Sequence, residues 1–569
     1  MESLDAPLTR QSITKAQAAL VVAIITITFP LITFMLTTLR FRRSQQQLHS
    51  RVDKPLAPAV VPYWFPFVGH VFSMIWNAEP FIHGILHRYG MDSPLTFKAA
   101  HLPLTYVCNP NHIQEIFKSS KSLPDNTSMS FFLKHVLGAR ENAIAMYRND
   151  NSGTALKPFV HSQVRDEERV YFHTVNTFRR FLTGKHLADI SQRYVSTLTR
   201  NLDMLAISSD WVSMPDLFDF LQAECAKAGI ETVMGRKILE LNPTIINDIR
   251  DFKKGVPSLL RCIPCWMLPK TWRARTKLHR AIEEWQQLGN QHTDCSRIGP
   301  DDPEWEPYFG CKLVRARQDY FSRMPKMDAH AKACEDLGLL YTINENTTTS
   351  AFWLIFEVLK DPRLESRIRE EIDNSTLRAS RRGERALDID ALLGQPLLQS
   401  CFAETLRLHV SSAALRVNRF EDYRLGPVTI NKGHSVIIPT RPSALNTDVW
   451  ASLGWDVSRP LHEFHAERFL VAGKEASLGV RGSPEAGRRF SVDGLAGLWI
   501  PFGGGHHVCP GRHFARMEMS ATLALLLLAF DIELDVREAW RLEEDIWYYP
   551  NGAIPPKHKV PFRFRRRKT

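Results

Sequence analysis

The sequence predicts a mainly α-helical chain with small β-sheets, set behind a single apolar N-terminal helix. Three observations carry that expectation. Residues 18–39 contain no charged side chain and are rich in Val, Ile, Leu, Phe and Thr. Helical patterning recurs over long stretches, at 328–360, 397–408 and 512–530, whereas strand signals are brief, as at 94–97, 104–107 and 427–438. Nine cysteines scattered over 569 residues form no disulfide framework and fit a reducing compartment. A 44% apolar content is ample for one large core.

The first element is the uncharged run itself, long enough as a helix to cross a hydrocarbon core of ~30 Å. Arg40, Arg42, Arg43, Arg51 and Lys54 follow it, while Glu2, Asp5, Arg10 and Lys15 roughly cancel before it. Basic residues stay on the cytoplasmic side, so residues 1–17 are expected in the lumen and the body in the cytosol. A cleaved signal peptide is the competing reading, but its apolar region is shorter and ends in a small-residue cleavage site, which is not found here. Residues 40–69 read as a basic, Pro-rich linker stiffened by Pro55, Pro58, Pro62 and Pro66. The linker would set the angle of the body, residues 70–569, to the membrane. The net charge of +11 is uneven, with seven basic and no acidic residues from Lys557 to Thr569. That tail reads as solvated or lipid-facing rather than as a nucleic-acid arm.

Residues 70–327 read as mostly helical. Cys262-Ile263-Pro264-Cys265 has no second cysteine pair nearby and apolar neighbours, so it reads as a membrane-dipping loop rather than a metal or redox motif. From Asp328 a helical pattern runs to Lys360, ended by Asp361-Pro362. Its centre holds seven polar residues, Asn344 to Ser350. One long buried helix with a polar notch competes here with two helices joined by a loop. Glu404 and Arg407, at i and i+3, share a helix face and can pair. The segments 427–430 and 435–438 read as the two arms of a hairpin, and 474–494 as a surface insertion rich in Gly, Ser, Arg and Glu.

The stretch Trp499-Ile500-Pro501-Phe502-Gly503-Gly504-Gly505-His506-His507-Val508-Cys509-Pro510-Gly511-Arg512-His513-Phe514-Ala515 organises the rest. It sets one thiol after a glycine-rich turn, where the backbone can pass close to a flat ligand, and just before a helix. The positive N-terminal end of that helix would stabilise a thiolate. The bland alternative is a strand-to-helix turn with a buried cysteine.

This stretch resembles the haem-binding segment of the cytochrome P450 superfamily, F-x-x-G-x-R-x-C-x-G, at Phe502, Gly505, Cys509 and Gly511, with His507 in place of the arginine. The ending C-P-G-R-x-F-A is similar to the branch holding sterol 7α- and 12α-hydroxylases, prostacyclin synthase and fungal relatives of secondary metabolism. Thr342-Ile343-Asn344-Glu345-Asn346-Thr347 resembles the family's A-G-x-D/E-T-T, with the acid kept as Glu345 and Asn346 at the threonine position, as in that branch. Phe464-His465-Ala466-Glu467-Arg468-Phe469 resembles F-x-P-E-R-F.

The resemblance implies a cytochrome P450 fold over most of residues 60–560, and haem b with Cys509 as the axial metal ligand. Phe502, Gly505, His507, Gly511 and Arg416 would line the cofactor, with Glu345, Asn346 and Thr347 as the catalytic notch. Glu404, Arg407 and Arg468 would form a structural cluster bracing the cysteine loop. Residues 120–140 and 549–556 would line the pocket; no Trp-x-x-x-Arg helix is recognisable. The implied function is a single-pass endoplasmic reticulum monooxygenase, its catalytic domain cytosolic. It would oxidise a lipophilic substrate (a sterol, terpenoid or other secondary metabolite) with O2 and electrons from NADPH-cytochrome P450 reductase, and no nucleic acid would be a partner. An isomerase or dehydratase acting on a peroxide, motivated by Asn346, and a non-enzymatic haem- or lipid-binding membrane protein, motivated by His507, are the alternatives.

Overall fold

The computed structural model describes residues 8–49, 56–119, 126–378, 385–418, 421–473, 487–535 and 542–568. They fall into two compact units, 1–115 with 415–438, and 116–414 with 439–569.

In the first unit, helix α1 (Leu8–His49) runs through Pro30 and well past the uncharged stretch. Leu, Arg and Gln beyond residue 39 are good helix formers, so the helix does not stop where the charges begin. Within it lies the one helix among the described residues that is long and apolar enough to cross a membrane, Gln17–Leu48. Its threonines hide their hydroxyls on the helix itself: Thr26, Thr28 and Thr33 donate to the carbonyls of Val22, Ile24 and Phe29 at 2.7, 2.7 and 2.9 Å. The C-terminal third of α1 is docked. Phe34 stacks on Trp64 at 4.2 Å, the Tyr63 N–H donates to Thr37 Oγ1 at 3.3 Å, and Phe41 meets Tyr89 edge-on at 5.4 Å. The Pro-rich segment therefore folds back onto the helix it follows.

The sheet of this unit is built on the antiparallel pair Leu95–Ala99 and Leu102–Tyr106, flanked in parallel by Ala59–Val60 and by Ser435–Ile437. The expected hairpin of 427–430 with 435–438 is corrected here. Val428–Ile430 pairs instead with Tyr423–Leu425, because Gly426 at φ +57° and Pro427 close a two-residue turn one step earlier.

The second unit is a helical body. Its main helices are α2 (Val170–Phe181), α3 (Gly184–Asp203), α4 (Leu217–Met234), α5 (Ile245–Leu260), α6 (Pro269–His292), α7 (Ala329–Lys360), α8 (Pro396–His409) and α9 (Arg512–Ala529). Helix α7 is the axis, packed on α4, α6, α8 and α9. The Asp328 carboxylate caps it, accepting from the Ala331 N–H at 2.7 Å. It is one continuous helix, not two. Its central polar side chains bond back to their own turn rather than breaking it: Asn344 Nδ2 donates to the Leu340 carbonyl at 2.7 Å and Thr349 Oγ1 to the Glu345 carbonyl at 2.9 Å.

The basic C-terminal stretch is also corrected. Phe562–Arg566 is the middle strand between Phe530–Leu534 and Val212–Met214. Phe562 and Phe564 are buried, while Arg563 and Arg565 pair with Glu533 and Asp531 and lie over the Trp211 ring. The period-two alternation of Phe and Arg decides the outcome over the charge count. Of the expected insertion, 474–486 lie outside the described residues, as do 120–125 of the expected pocket segment. Arg488–Phe490 returns to pair with Leu470–Ala472.

Candidate functional site

The cysteine loop is stitched at both ends. The Cys509 N–H donates to the Phe502 carbonyl at 2.9 Å and the Val508 N–H to the Gly505 carbonyl at 3.2 Å, closing a compact turn. Trp499 Nε1 donates to the Ala403 carbonyl at 3.0 Å and ties the start of the loop to α8. Gly505 sits at φ +66°, and a Cβ there would stand 2.1 Å from the Phe117 carbonyl oxygen, so no side chain fits.

The turn delivers Cys509 to the N-terminus of α9. Burial pushes its thiol up, while the backbone N–H groups of Gly511 and Arg512 and the Arg512 charge pull it down. Burial wins that balance, but the sulfur has local backbone and charge support for its anionic form. A Cβ on Gly511 would stand 3.8 Å from Cys509 Sγ.

His507 is half-buried, with Nδ1 3.2 Å from the hydroxyl of Tyr171 on α2. Arg179, further along α2, donates to the carbonyls of Thr154 and His506. Helix α2 therefore occupies the flank of the loop for which no motif was recognisable. Arg416 belongs to the other unit, where it is buried and its Nη1 donates to the Leu415 carbonyl at 2.8 Å.

The polar centre of α7 is not uniform. Glu345 is buried and ion-paired at 2.8 Å with Lys253 of α5, whose Nζ also donates to the Asn344 carbonyl at 2.9 Å. Thr342 and Asn346 are exposed and Ile343 and Thr347 half-exposed in the middle of a mostly buried helix, so open space adjoins the axis of the body there. Asn346 Oδ1 accepts from the Ala553 N–H at 2.9 Å, and a Cβ on Gly552 would meet it at 2.1 Å. The amide is thus engaged by the strand Asn551–Ala553, which pairs with Val410–Ser412. Thr347 bonds to the carboxyl of Glu518 on α9, and burial pushes that carboxyl up to about 8 against the pull of the Thr347 hydroxyl.

The third constellation is closed. Glu404 Oε1 accepts from Arg407 Nη2 at 2.9 Å, Arg468 Nε at 2.9 Å and the His465 N–H at 3.0 Å, while Oε2 accepts from Arg407 Nε at 2.7 Å. Further guanidinium N–H groups donate to carbonyls, among them Ala444 at 3.2 Å and Asp456 at 2.8 Å. The cysteines of the 262–265 motif are free; Trp266 and Met267 beside them are exposed.

Sequence reasoning missed Lys253, Tyr171 and Glu518. Glu518 had a signal, a lone acid inside the apolar run of α9. Lys253 and Tyr171 had none, because each acquires its partner from a distant part of the chain.

A half-buried thiol at a helix end, in a body whose central helix carries an open polar notch, is the arrangement a haem-thiolate oxidoreductase needs. Residues 59–547 match the cytochrome P450 family model, and the chain belongs to that family. It is 30% identical over 95% of its length to the cytochrome P450 monooxygenase efuG of Hormonema carpetanum, covering 96% of that protein. To cytochrome P450 7B1 of Mus musculus it is 23% identical, over 91% of this chain and 92% of the other. To the cholesterol 7-alpha-monooxygenase of Cricetulus griseus it is 24% identical, over 72% and 79%. The fold matches the solved retinoic acid-bound cyanobacterial CYP120A1 with a TM-score of 0.61 at 15% identity, over 90% of this chain and 100% of that one.

The chain is accordingly an oxidoreductase with the cytochrome P450 fold, and its cofactor is haem with an iron–thiolate bond. The reading as a non-enzymatic binding protein falls away. The residues present fit the cofactor: the backbone N–H groups of Gly511 and Arg512 support the Cys509 sulfur, and the His507–Tyr171 pair provides polar groups on the flank of the loop.

Proposed function

We propose that the chain is a membrane-anchored monooxygenase that oxidises a lipophilic substrate with O2, and that Cys509 is the ligand of its haem iron. The observation that carries this is the placement of the Cys509 sulfur under the N–H groups of Gly511 and Arg512. When bound, the haem supplies oxygen activation, to which the thiolate contributes electron density that favours O–O cleavage.

The chain's own residues do the rest. Gly505 and Gly511 keep the loop thin, and the Phe502 carbonyl closes it onto the Cys509 N–H. His507, oriented by Tyr171, offers an N–H donor to a propionate carboxylate. Lys253 holds Glu345 beside the notch. The Thr347 hydroxyl bonds to the Glu518 carboxyl, which burial pushes up to about 8, and a hydroxyl can accept one proton while giving another. Asn346, already bonded to Ala553, positions the strand that closes the pocket, so the proton route runs through Thr347.

A lipophilic substrate is supported by the chain's relatives and fold neighbour, whose names specify cholesterol and retinoic acid. A sterol, terpenoid or other secondary metabolite fits. Helix α1 would anchor the protein as a single pass in the endoplasmic reticulum, with residues 1–17 luminal, 18–39 spanning, 40–69 as connector and 70–569 cytosolic. The exposed Trp266 and Met267 would form a membrane-dipping loop. Electrons would come from NADPH through a separate cytochrome P450 reductase.

The reduced carbon monoxide spectrum tests the ligand. A thiolate Soret band is expected in the wild type and absent in Cys509→Ala; its absence in the wild type overturns the assignment. Product analysis with lipid extracts, NADPH and reductase then tests the reaction. The specific motive for a second reading, an isomerase or dehydratase acting on a peroxide, is that the Asn346 amide relays protons poorly. Turnover without NADPH would establish it, and strict dependence on NADPH and reductase would remove it.

A further inference from the structure

A second cluster of metal-binding side chains lies at the N-terminal end of α7. His279 of α6 and His330 and Cys334 of α7 bring two imidazoles and a thiol together, with all three ligand atoms within 4.8 Å of one another. Cys334 Sγ stands 3.6 Å from His279 Nε2 and 3.6 Å from His330 Nε2. The Leu137 carbonyl oxygen lies 3.0 Å from His279 Nε2 and 3.5 Å from Cys334 Sγ. Around a tetrahedral zinc, with bonds of about 2.3 Å to sulfur and about 2.0–2.2 Å to nitrogen or oxygen, neighbouring ligands are separated by about 3.3–3.6 Å. Four of the separations, from 3.0 to 3.6 Å, already stand close to those values.

We propose that His279, His330 and Cys334, with the Leu137 carbonyl at the fourth corner, form a structural zinc site that clamps α6, α7 and the turn Leu133–Leu137 together.

The donor set selects the metal. One thiolate and two imidazoles suit a borderline-soft ion and exclude calcium and magnesium, which take oxygen ligands. The two helices share the work in i, i+4 pairs, His279 with Glu283 on α6 and His330 with Cys334 on α7. The Glu283 carboxylate lies 3.8 Å from His330 Nδ1, on the ring edge opposite the cluster. A carboxylate behind a ligating imidazole fixes its tautomer and orientation.

Metal binding balances as follows. The Cys334 thiol loses its proton to solvent. Each imidazole, whose Nε2 meets a carbonyl in this structure, shifts its proton to Nδ1, and on His330 that proton faces Glu283. One thiolate and one carboxylate then neutralise the dication. The redox state of the metal does not change.

The function of such a site is mechanical. The turn Leu133–Leu137 ends at Gly138, whose carbonyl faces His330 Nε2 at 3.2 Å, and the same helix α7 carries the notch at Asn346 and Thr347 further along. A zinc bridge would fix the segment leading from Asn126 to Gly138 against both helices.

The test uses the full-length, haem-loaded protein, loaded with zinc and dialysed against a mild chelator. About one equivalent of zinc is expected in the wild type and in Cys265→Ser, falling at least fivefold in Cys334→Ser and in His279→Gln. The zinc K-edge of the wild type should show one sulfur at about 2.3 Å among nitrogen and oxygen neighbours at about 2.0–2.2 Å. Zinc retained equally by Cys334→Ser, no zinc held by wild type with an intact thiolate Soret band, or a sulfur-free shell would each overturn the proposal. Should the variants lose that Soret band and so fail to fold, the wild-type edge alone decides.

Discussion

Glu404 and Glu345 are both carboxylates buried in the helical body, yet they are held in opposite ways. Glu404 lies between two arginines and a backbone N–H, and both arginines donate further to carbonyls. Glu345 has one lysine, on a turn whose next residues open to space. A saturated cluster has nothing left to offer a ligand and can only support its surroundings, here through α8 and Trp499 the loop that carries Cys509. A singly paired acid beside an opening can exchange partners. The contrast separates bracing from chemistry more clearly than burial does, since both acids are buried.

The largest test of that contrast is Glu404→Ala. It strands two buried guanidinium groups and should cost about 3–5 kcal/mol, read as loss of folded protein carrying the thiolate Soret band. Glu518→Gln follows, because Glu518 shows a third way to bury a carboxyl, by staying neutral. Its folded value of about 8 lies above the usual carboxylate value of 4.5, so the folded state keeps a proton that the unfolded state releases between those pH values. Stability is therefore lost as pH rises through that window, by at most about 1.4 kcal/mol per pH unit. The glutamine variant should match wild type near pH 5 and exceed it in thermal midpoint at pH 8.

Lys253→Met tests the open pair. It should destabilise by about 1–3 kcal/mol, less than Glu404→Ala, because it strands one buried charge rather than two. It should also lower the fraction of NADPH consumed that appears as product. Equal destabilisation by the two variants, with coupling unchanged, would erase the contrast. The smallest effect is expected of Asn346→Ala, which removes one hydrogen bond to Ala553, about 1 kcal/mol. Thr347→Val, by contrast, should impair coupling without a matching loss of stability.

What could be read in advance follows the same physics. Helix α7 was legible because its apolar flanks and the Asp328 cap are local, and its polar centre bonds to its own backbone. The turn around Cys509 was legible because glycine spacing and a following helix are also local. Lys253 was not, since nothing in Asp251-Phe252-Lys253-Lys254 distinguishes the lysine that reaches Glu345 from its exposed neighbour. The same holds for Tyr171, whose meeting with His507 is made by the fold. The two misread segments were misread for a different reason. At 562–566 charge outweighed alternation, and at 423–430 the Gly426-Pro427 turn went unused as a signal.

The docking of α1 has a practical consequence for handling the protein. A cut placed after His49 would strip Phe34, Thr37 and Phe41 from Trp64, Tyr63 and Tyr89, leaving a freshly bared aromatic face on a fragment meant to be soluble. A cut placed just before Phe34 would discard most of the uncharged run and keep those contacts. Of the two shortened proteins, the longer one should be the easier to keep in solution without detergent.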